Sequence, residues 1–243
     1  MEQIKHKVNK LKSYDAECQN DKYFTNCDNF KRSINSGKST PYNGDLEIIR
    51  EYVKSFKNKN NICLDIGGHI GTHSIPYSRI FDFVHTFEAN YDNFTYLERN
   101  IKLNDRTNII AYNKAVSNKK KLVFVKKWMN ENSGCFTIME TGANNSTMET
   151  ITIDELDISD VDFIKIDVEG VELAVLQGAV NTIKKYKPLL QVELLNNLAF
   201  KLHNIKTQTI IDYIINILDY VAYKRVHDDV FFIHKDYVDN SVL

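Results

Sequence analysis

From residue 62 to residue 218, short apolar runs take turns with stretches whose apolar residues recur at helical spacing. The runs 62–66, 84–88, 109–112, 163–167 and 189–193 read as strands, and 71–80, 91–103, 171–185 and 207–218 read as helices. A parallel pair of strands needs a crossover long enough to hold a helix. The alternation therefore predicts an α/β fold with a mostly parallel central sheet and helices on both faces. The rhythm breaks at 121–153, where the runs 122–125, 135–138 and 150–153 are separated by turn formers and predict a small antiparallel insertion near the binding edge. The runs 221–224 and 230–234, joined across Asp228-Asp229, predict a C-terminal β-hairpin that completes the sheet.

A chain of 243 residues, 43% of them hydrophobic, suffices for one sizeable core. Residues 45–243 are expected to form a single domain that carries the insertion, and its first helix starts near Asp45 and buries Leu46, Ile49, Val53 and Phe56. The polar, weakly periodic residues 1–44 read as an N-terminal extension or lid. Within them Gly37-Lys38-Ser39 lacks both the earlier glycine and the preceding strand of a phosphate loop. Thirty-one basic against 32 acidic residues give a net charge of -1, so nothing advertises nucleic acid as a partner. No run approaches the roughly 18 apolar residues that span a bilayer, and the N-terminus carries no signal-like apolar stretch. The expectation is a soluble, cytoplasmic protein. Cys18, Cys27, Cys63 and Cys135 are scattered, without zinc-site spacing, and are expected to be reduced thiols.

The chemistry-bearing residues fall at strand ends. Asp65-Ile-Gly67-Gly68-His69-Ile-Gly71 occupies the first strand-to-helix turn, where backbone comes closest to a ligand in an open α/β sheet. Glu88 ends the next strand, where a carboxylate can accept both hydroxyls of a ribose. Together the two elements suit an adenosine-containing cofactor. A dinucleotide's pyrophosphate calls for G-x-G-x-x-G, whereas here His69 fills a position that should stay bare, which favours S-adenosylmethionine over NAD. A third element, Ile164-Lys-Ile-Asp167-Val-Glu169-Gly170, ends in two carboxylates, and Glu193 ends the neighbouring strand. Clustered carboxylates raise one another's pKa, which suits a proton acceptor or a divalent-cation site; helix capping and backbone binding are the plainer roles for Glu169 and Glu193.

These residues resemble the FkbM-type methyltransferases. The resemblance rests on Ile62-Cys-Leu-Asp-Ile-Gly-Gly-His-Ile-Gly-Thr-His-Ser74, on Phe87-Glu-Ala-Asn90 followed by Asn93 and Leu97, and on Phe163 to Glu172 with Leu176-Gln-Gly-Ala179. It implies a Rossmann-like methyltransferase fold and O-methylation of a sugar, glycan or other small hydroxyl-bearing acceptor, with S-adenosyl-L-methionine as donor. It also implies that Asp65, Gly67, Gly68, His69, Gly71 and Thr72 surround the methionine part, that Glu88 holds the ribose with support from Asn93, and that Ser117 and Asn118 approach the adenine. His69 stands where the family more often has Asn, and His73 where an aromatic is common.

The sulfonium methyl is already electrophilic, so the protein must align the acceptor oxygen and assist its proton loss. Asp167 or Glu169 is the expected base, with Glu193 in support and a divalent cation as an option on the same three residues. Acceptor choice is expected from residues 128–148 and 42–47, where Trp128 and Phe136 suit either a sugar face or the core. The alternatives are a nicotinamide-dependent oxidoreductase, which would need a Tyr-x-x-x-Lys pair on a helix, and none of the expected helices carries one; an RNA 2'-hydroxyl methyltransferase, supported only by Lys119-Lys-Lys121 with Lys126-Lys127; and a catalytically inactive cofactor-binding module.

Overall fold

The computed structural model describes residues 16–18, 21–25, 28–36, 43–57, 61–128, 134–140, 147–195 and 198–238. Gly37-Lys38-Ser39, Tyr42 and Cys27 lie outside the described residues, as do parts of the 121–153 insertion. In chain order the elements are β1 (Ala16–Cys18), β2 (Asp21–Tyr23), α1 (Asp28–Asn35), α2 (Asn43–Phe56), β3 (Ile62–Ile66), α3 (Ser74–Tyr77), β4 (Phe83–Phe87), α4 (Tyr91–Leu103) and β5 (Ile109–Tyr112). There follow β6 (Leu122–Lys127), β7 (Phe136–Glu140), β8 (Thr147–Glu149), β9 (Val161–Ile166), α5 (Glu172–Gln177), α6 (Val180–Tyr186), β10 (Leu189–Glu193), α7 (Leu198–His203), α8 (Thr207–Asn216), β11 (Tyr220–Val226) and β12 (Asp229–His234).

The main sheet has seven strands in the order β11-β12-β10-β9-β3-β4-β5. The five strands from β10 to β5 run parallel, and the hairpin β11–β12 adds on antiparallel through β10, as the sequence predicts. β9 is buried at every residue, the charged Asp162 and Lys165 included, as befits a central strand covered on both faces. Helix α2 covers one face with Leu46, Ile49, Tyr52 and Val53 against Val84, Phe163 and Phe231. Val175, Leu176, Ile183, Ile210 and Ile214 of α5, α6 and α8 cover the other. Phe56, at the end of α2, remains partly exposed instead of buried. Cys63 and Cys135 are free and buried. No helix among the described residues is long and apolar enough to cross a membrane.

The chain leaves β3 for β4 and β5 on one side, then returns to β9 and β10 on the other. The carboxyl ends of β3 and β9 thus flank the switch in strand order, where a ligand binds in such sheets.

Four elements differ from their sequence signals, each for a tertiary reason. The helix expected over 71–80 shrinks to the single turn α3, because Pro76 lacks a donor and Asn108 takes the carbonyls of Ser78 and Phe81. The helix expected over 171–185 divides at Gly178-Ala179. A β-carbon at Gly178 would lie 2.0 Å from the Ser117 carbonyl oxygen, so the chain turns there against the 113–118 loop. Asp154 then caps α6 from outside, accepting the amides of Asn181 and Thr182 at 3.0 and 2.9 Å. In the insertion β6 pairs with both β7 and β8, as an antiparallel sheet of three strands. Its third member lies at 147–149 rather than 150–153, since Ile151 instead bridges in parallel to Val116 and so ties the insertion to the stretch that follows β5. The hairpin turns at His227-Asp228, with Asp229 already in β12.

Replacing Asp154 by Ala leaves two amides of α6 without their acceptor. It is expected to lower stability by about 1 kcal/mol, measured by urea unfolding with an unchanged slope.

Candidate functional site

Gly67 decides the geometry at the switch. Its φ is +94°, and a β-carbon on it would sit 1.7 Å from the carbonyl oxygen of Asp167, so only glycine lets the turn after β3 rest against the end of β9. The Asp167 amide donates to the Ile66 carbonyl at 2.9 Å and locks the two ends together. His69 follows at φ +49°, and its amide donates to Glu88 Oε2 at 2.8 Å, while the Asn90 amide donates to Oε1 at 2.7 Å. A cavity of about 260 Å³ opens above this junction.

Of the residues expected from sequence, Gly67, His69, Thr72, Glu88, Asp167, Glu169 and Glu193 line that cavity, with His73 beside them. The others do not. Asp65 is fully buried below the cavity, and its Oδ2 accepts the Ser74 hydroxyl at 2.5 Å. Gly68 lies against Thr86 and Gly71 against Leu97 and Ile75. Asn93 sits in the first turn of α4, where the Asn90 side chain caps its amide at 2.9 Å. Ser117 is buried and faces a neighbouring cavity of about 290 Å³ with Asn118, Gln177 and His203; Lys114, Ala115 and Val116 take the place expected for it. Those three leave β5 in an irregular stretch without periodicity, so no sequence signal marked them. Phe136, Thr137 and Ile138 of the inserted sheet form the opposite wall.

The rim carboxylates do converge. Asp167, Glu169 and Glu193 each offer an oxygen within 4.8 Å of the others. Beneath them lies Lys165, only 1% exposed, with Nζ 2.6 Å from Asp167 Oδ2. Lys165 and Asp167 share one side of the strand end, as strand alternation predicts, but the ion pair between them had no sequence signature. Burial opposes a charge on Asp167, yet the Lys165 ammonium, with hydrogen bonds from Glu193 and Lys165, outweighs it and holds Asp167 down at about 2. Glu193 moves the other way, pushed well up by burial and by the Asp167 charge, so the pair shares one proton that resides on Glu193. Burial and Asp167 lift Glu169 to about 8, against the nearby Trp128 indole, whose N–H finds no acceptor within hydrogen-bond distance among the described residues. Burial also lifts Glu88 to about 8, although two backbone amides oppose it. His73 is held well below its ordinary value by burial first and then by Lys165, and is neutral.

A glycine turn on the end of a neighbouring strand, a strand-end glutamate and a carboxylate rim coincide in one cavity, and residues 65–224 match the Methyltransferase FkbM domain. The chain belongs to the FkbM methyltransferase family. Among solved structures, an FkbM methyltransferase from Methylobacillus flagellatus superposes with a TM-score of 0.52 at 19% identity over 74% of this chain. This chain spans 46% of that protein, somewhat under half its length. A putative caffeoyl-CoA O-methyltransferase from Staphylococcus aureus superposes with a TM-score of 0.51 at 16% identity, covering 85% of this chain and 91% of that one. At such identities these two structures speak for the fold alone. No curated protein matches the sequence. Membership in this family separates the chain from nicotinamide oxidoreductases, which share a glycine turn and a strand-end acid.

The charge state of the rim sets a pH dependence. Glu88 and Glu169 at about 8 and Glu172 at about 7 hold protons in the folded protein that the unfolded chain, near 4.5, has lost. Their stabilising contribution is present below the unfolded value and fades as pH rises through the folded one. The buried histidines act below about pH 6.5, so the window above it reports the glutamates. Between pH 6.5 and 8.5 the ligand-free protein is expected to lose thermal stability steadily at fixed ionic strength. A melting temperature that is flat or rising over this window would contradict the assigned protonation.

Proposed function

We propose that this protein is an S-adenosylmethionine-dependent O-methyltransferase acting on a hydroxyl of a sugar or glycan. The observation that carries the reading is the cavity's polarity: one end holds Glu88 and the turn after β3, the other holds three carboxylates of which one is charged and two carry protons. Each Glu88 oxygen accepts one backbone amide and keeps a lone pair, so two ribose hydroxyls suit it. Such donors favour its charged form. S-adenosylmethionine, when bound, supplies an electrophilic methyl group on a sulfonium.

The residues divide the remaining work. Asp167, fixed as an anion by Lys165, would favour a positively charged donor over its neutral product. Glu169 is the proton acceptor once ionised: at about 8 it becomes available as pH rises toward that value, and its carboxylate is then a stronger base than an ordinary one. Glu193 hydrogen-bonds Asp167 and orients it. Phe136 lines the cavity and Trp128 stands by Glu169, an aromatic and carboxylate pairing that suits a polyhydroxylated ring. The N-terminal residues 1–44 are read as an extension and 45–243 as one catalytic domain.

A second reading has its own observation. The rim oxygens lie close enough for one divalent cation, and Glu169 Oε2 and Glu193 Oε2 are buried without a hydrogen-bond partner among the described residues. Turnover that survives EDTA favours the carboxylate base; turnover lost in EDTA and restored by Mg²⁺ favours the cation.

S-adenosylhomocysteine, and not NAD, is expected to raise the melting temperature. Methyl transfer is expected with a panel of nucleotide-sugars and free glycans, and RNA is expected to be inert. Changing Asp167→Asn and Glu169→Gln together is expected to cut turnover by about a hundredfold or more while S-adenosylhomocysteine still binds. Near-normal turnover in that variant would sink the assignment.

A further inference from the structure

Two asparagines on α4 join the N-terminal strand to the turn after β3. Asn100 is fully buried, and Asn104 follows one helical turn later. Asn100 Oδ1 accepts the Phe24 amide at 2.7 Å, and its Nδ2 donates to the Phe24 carbonyl at 3.1 Å and to the Ile70 carbonyl at 2.8 Å. Asn104 does the same for Lys22, accepting its amide at 2.9 Å and donating to its carbonyl at 2.7 Å. Lys22 and Phe24 are alternate residues of an extended chain, about 6.7 Å apart. Residues i and i+4 of a helix rise about 6 Å. The two side-chain amides therefore stand in for a neighbouring strand, and Tyr23, between them, turns the other way to pack with Ile34, Ile70 and Ile75. Asp21, 1% exposed, pairs with Arg79 and Arg106, and Arg99 lies 3.3 Å over the Phe24 ring.

Ile70 sits between His69 and Gly71, both at positive φ. Its carbonyl is held by Asn100 from one side while the His69 amide is held by Glu88 from the other. A buried amide side chain keeps one rotamer only when its donors and its acceptor are all met. Phe24 meets two of the groups of Asn100, and Ile70 meets the third.

We infer that Asn100 is a positioning residue for the methyl-donor turn, and that the strand around Asp21–Tyr23 is a strap that fixes it. Docking of the strap completes the hydrogen bonding of Asn100, which in turn holds His69–Gly71 in the conformation that receives the donor. The N-terminal segment thereby acts on donor affinity without touching the donor. This rests on the proposed function only in taking that turn as the donor's seat.

The test is Asn100→Asp, which keeps the shape and replaces both N–H donors by an oxygen facing two carbonyls. S-adenosylhomocysteine affinity, by calorimetry, is expected to fall about tenfold, with the donor KM raised and kcat within about twofold. Amide exchange over residues 69–75 is expected to accelerate in the ligand-free variant. Asp154→Ala, whose cap lies far from the turn, serves as the stability control and is expected to leave affinity unchanged. Asn104→Ala touches the strap but not the turn, and is expected to weaken affinity by a smaller factor. Wild-type affinity in Asn100→Asp, unchanged exchange over 69–75, or an equal loss of affinity in Asp154→Ala would each overturn the inference. If the wild type binds no S-adenosylhomocysteine yet exchange at the turn still depends on Asn100, the donor assignment fails and the coupling of strap to turn stands.

Discussion

The absence of a side chain at Gly67 lets the turn after β3 lie on the carbonyl of Asp167. Everything at the carboxyl edge of the sheet is referred to that contact. It brings the first turn and the end of β9 to the same point at the switch in strand order, where the Asp167 amide closes on Ile66. His69 is then carried to Glu88, and the rim residues are carried to the opposite side of one cavity. A β-carbon there would separate the two strand ends and, with them, the two halves of the site.

The second organising feature is a shortage of positive charge. Asp65, Asp167 and Asp229 all lie around a single buried cation, Lys165, and Glu88, Glu169, Glu172 and Glu193 lie close by. One ammonium cannot neutralise so many carboxylates. Lys165 holds Asp167 ionised by direct contact, and the others are raised above their ordinary values. A site prepared in this way has room for an arriving positive charge.

From outside the central sheet, the insertion that carries β6, β7 and β8 walls the site, and the N-terminal strap buttresses the turn after β3. The insertion is tied down through the Val116–Ile151 bridge and the Thr137–His203 contact of 3.1 Å. The strap is tied down through asparagines and a buried aspartate. The insertion is thus held by a backbone bridge and one polar contact, and the strap by polar side chains, which fixes their place without requiring either to be wholly apolar.

The amino-acid sequence alone determined what depends on short-range order. The strands at 62–66, 109–112 and 189–193 and the helix at 91–103 appear at the residues their periodicity marks, because side-chain spacing and local capping decide them. Glu88, Asp167, Glu169 and Glu193 were legible for the same reason, since a strand's end fixes the edge at which its acid stands. Only the tertiary structure decided the rest. Asp65 looks like a ligand contact at a strand's end until Ser74 and Lys165 are brought beside it, and Ser117 looks like one until Gly178 packs on its carbonyl. The hold of Asn100 on Phe24 spans 76 residues, a separation at which no local pattern records who will be neighbours.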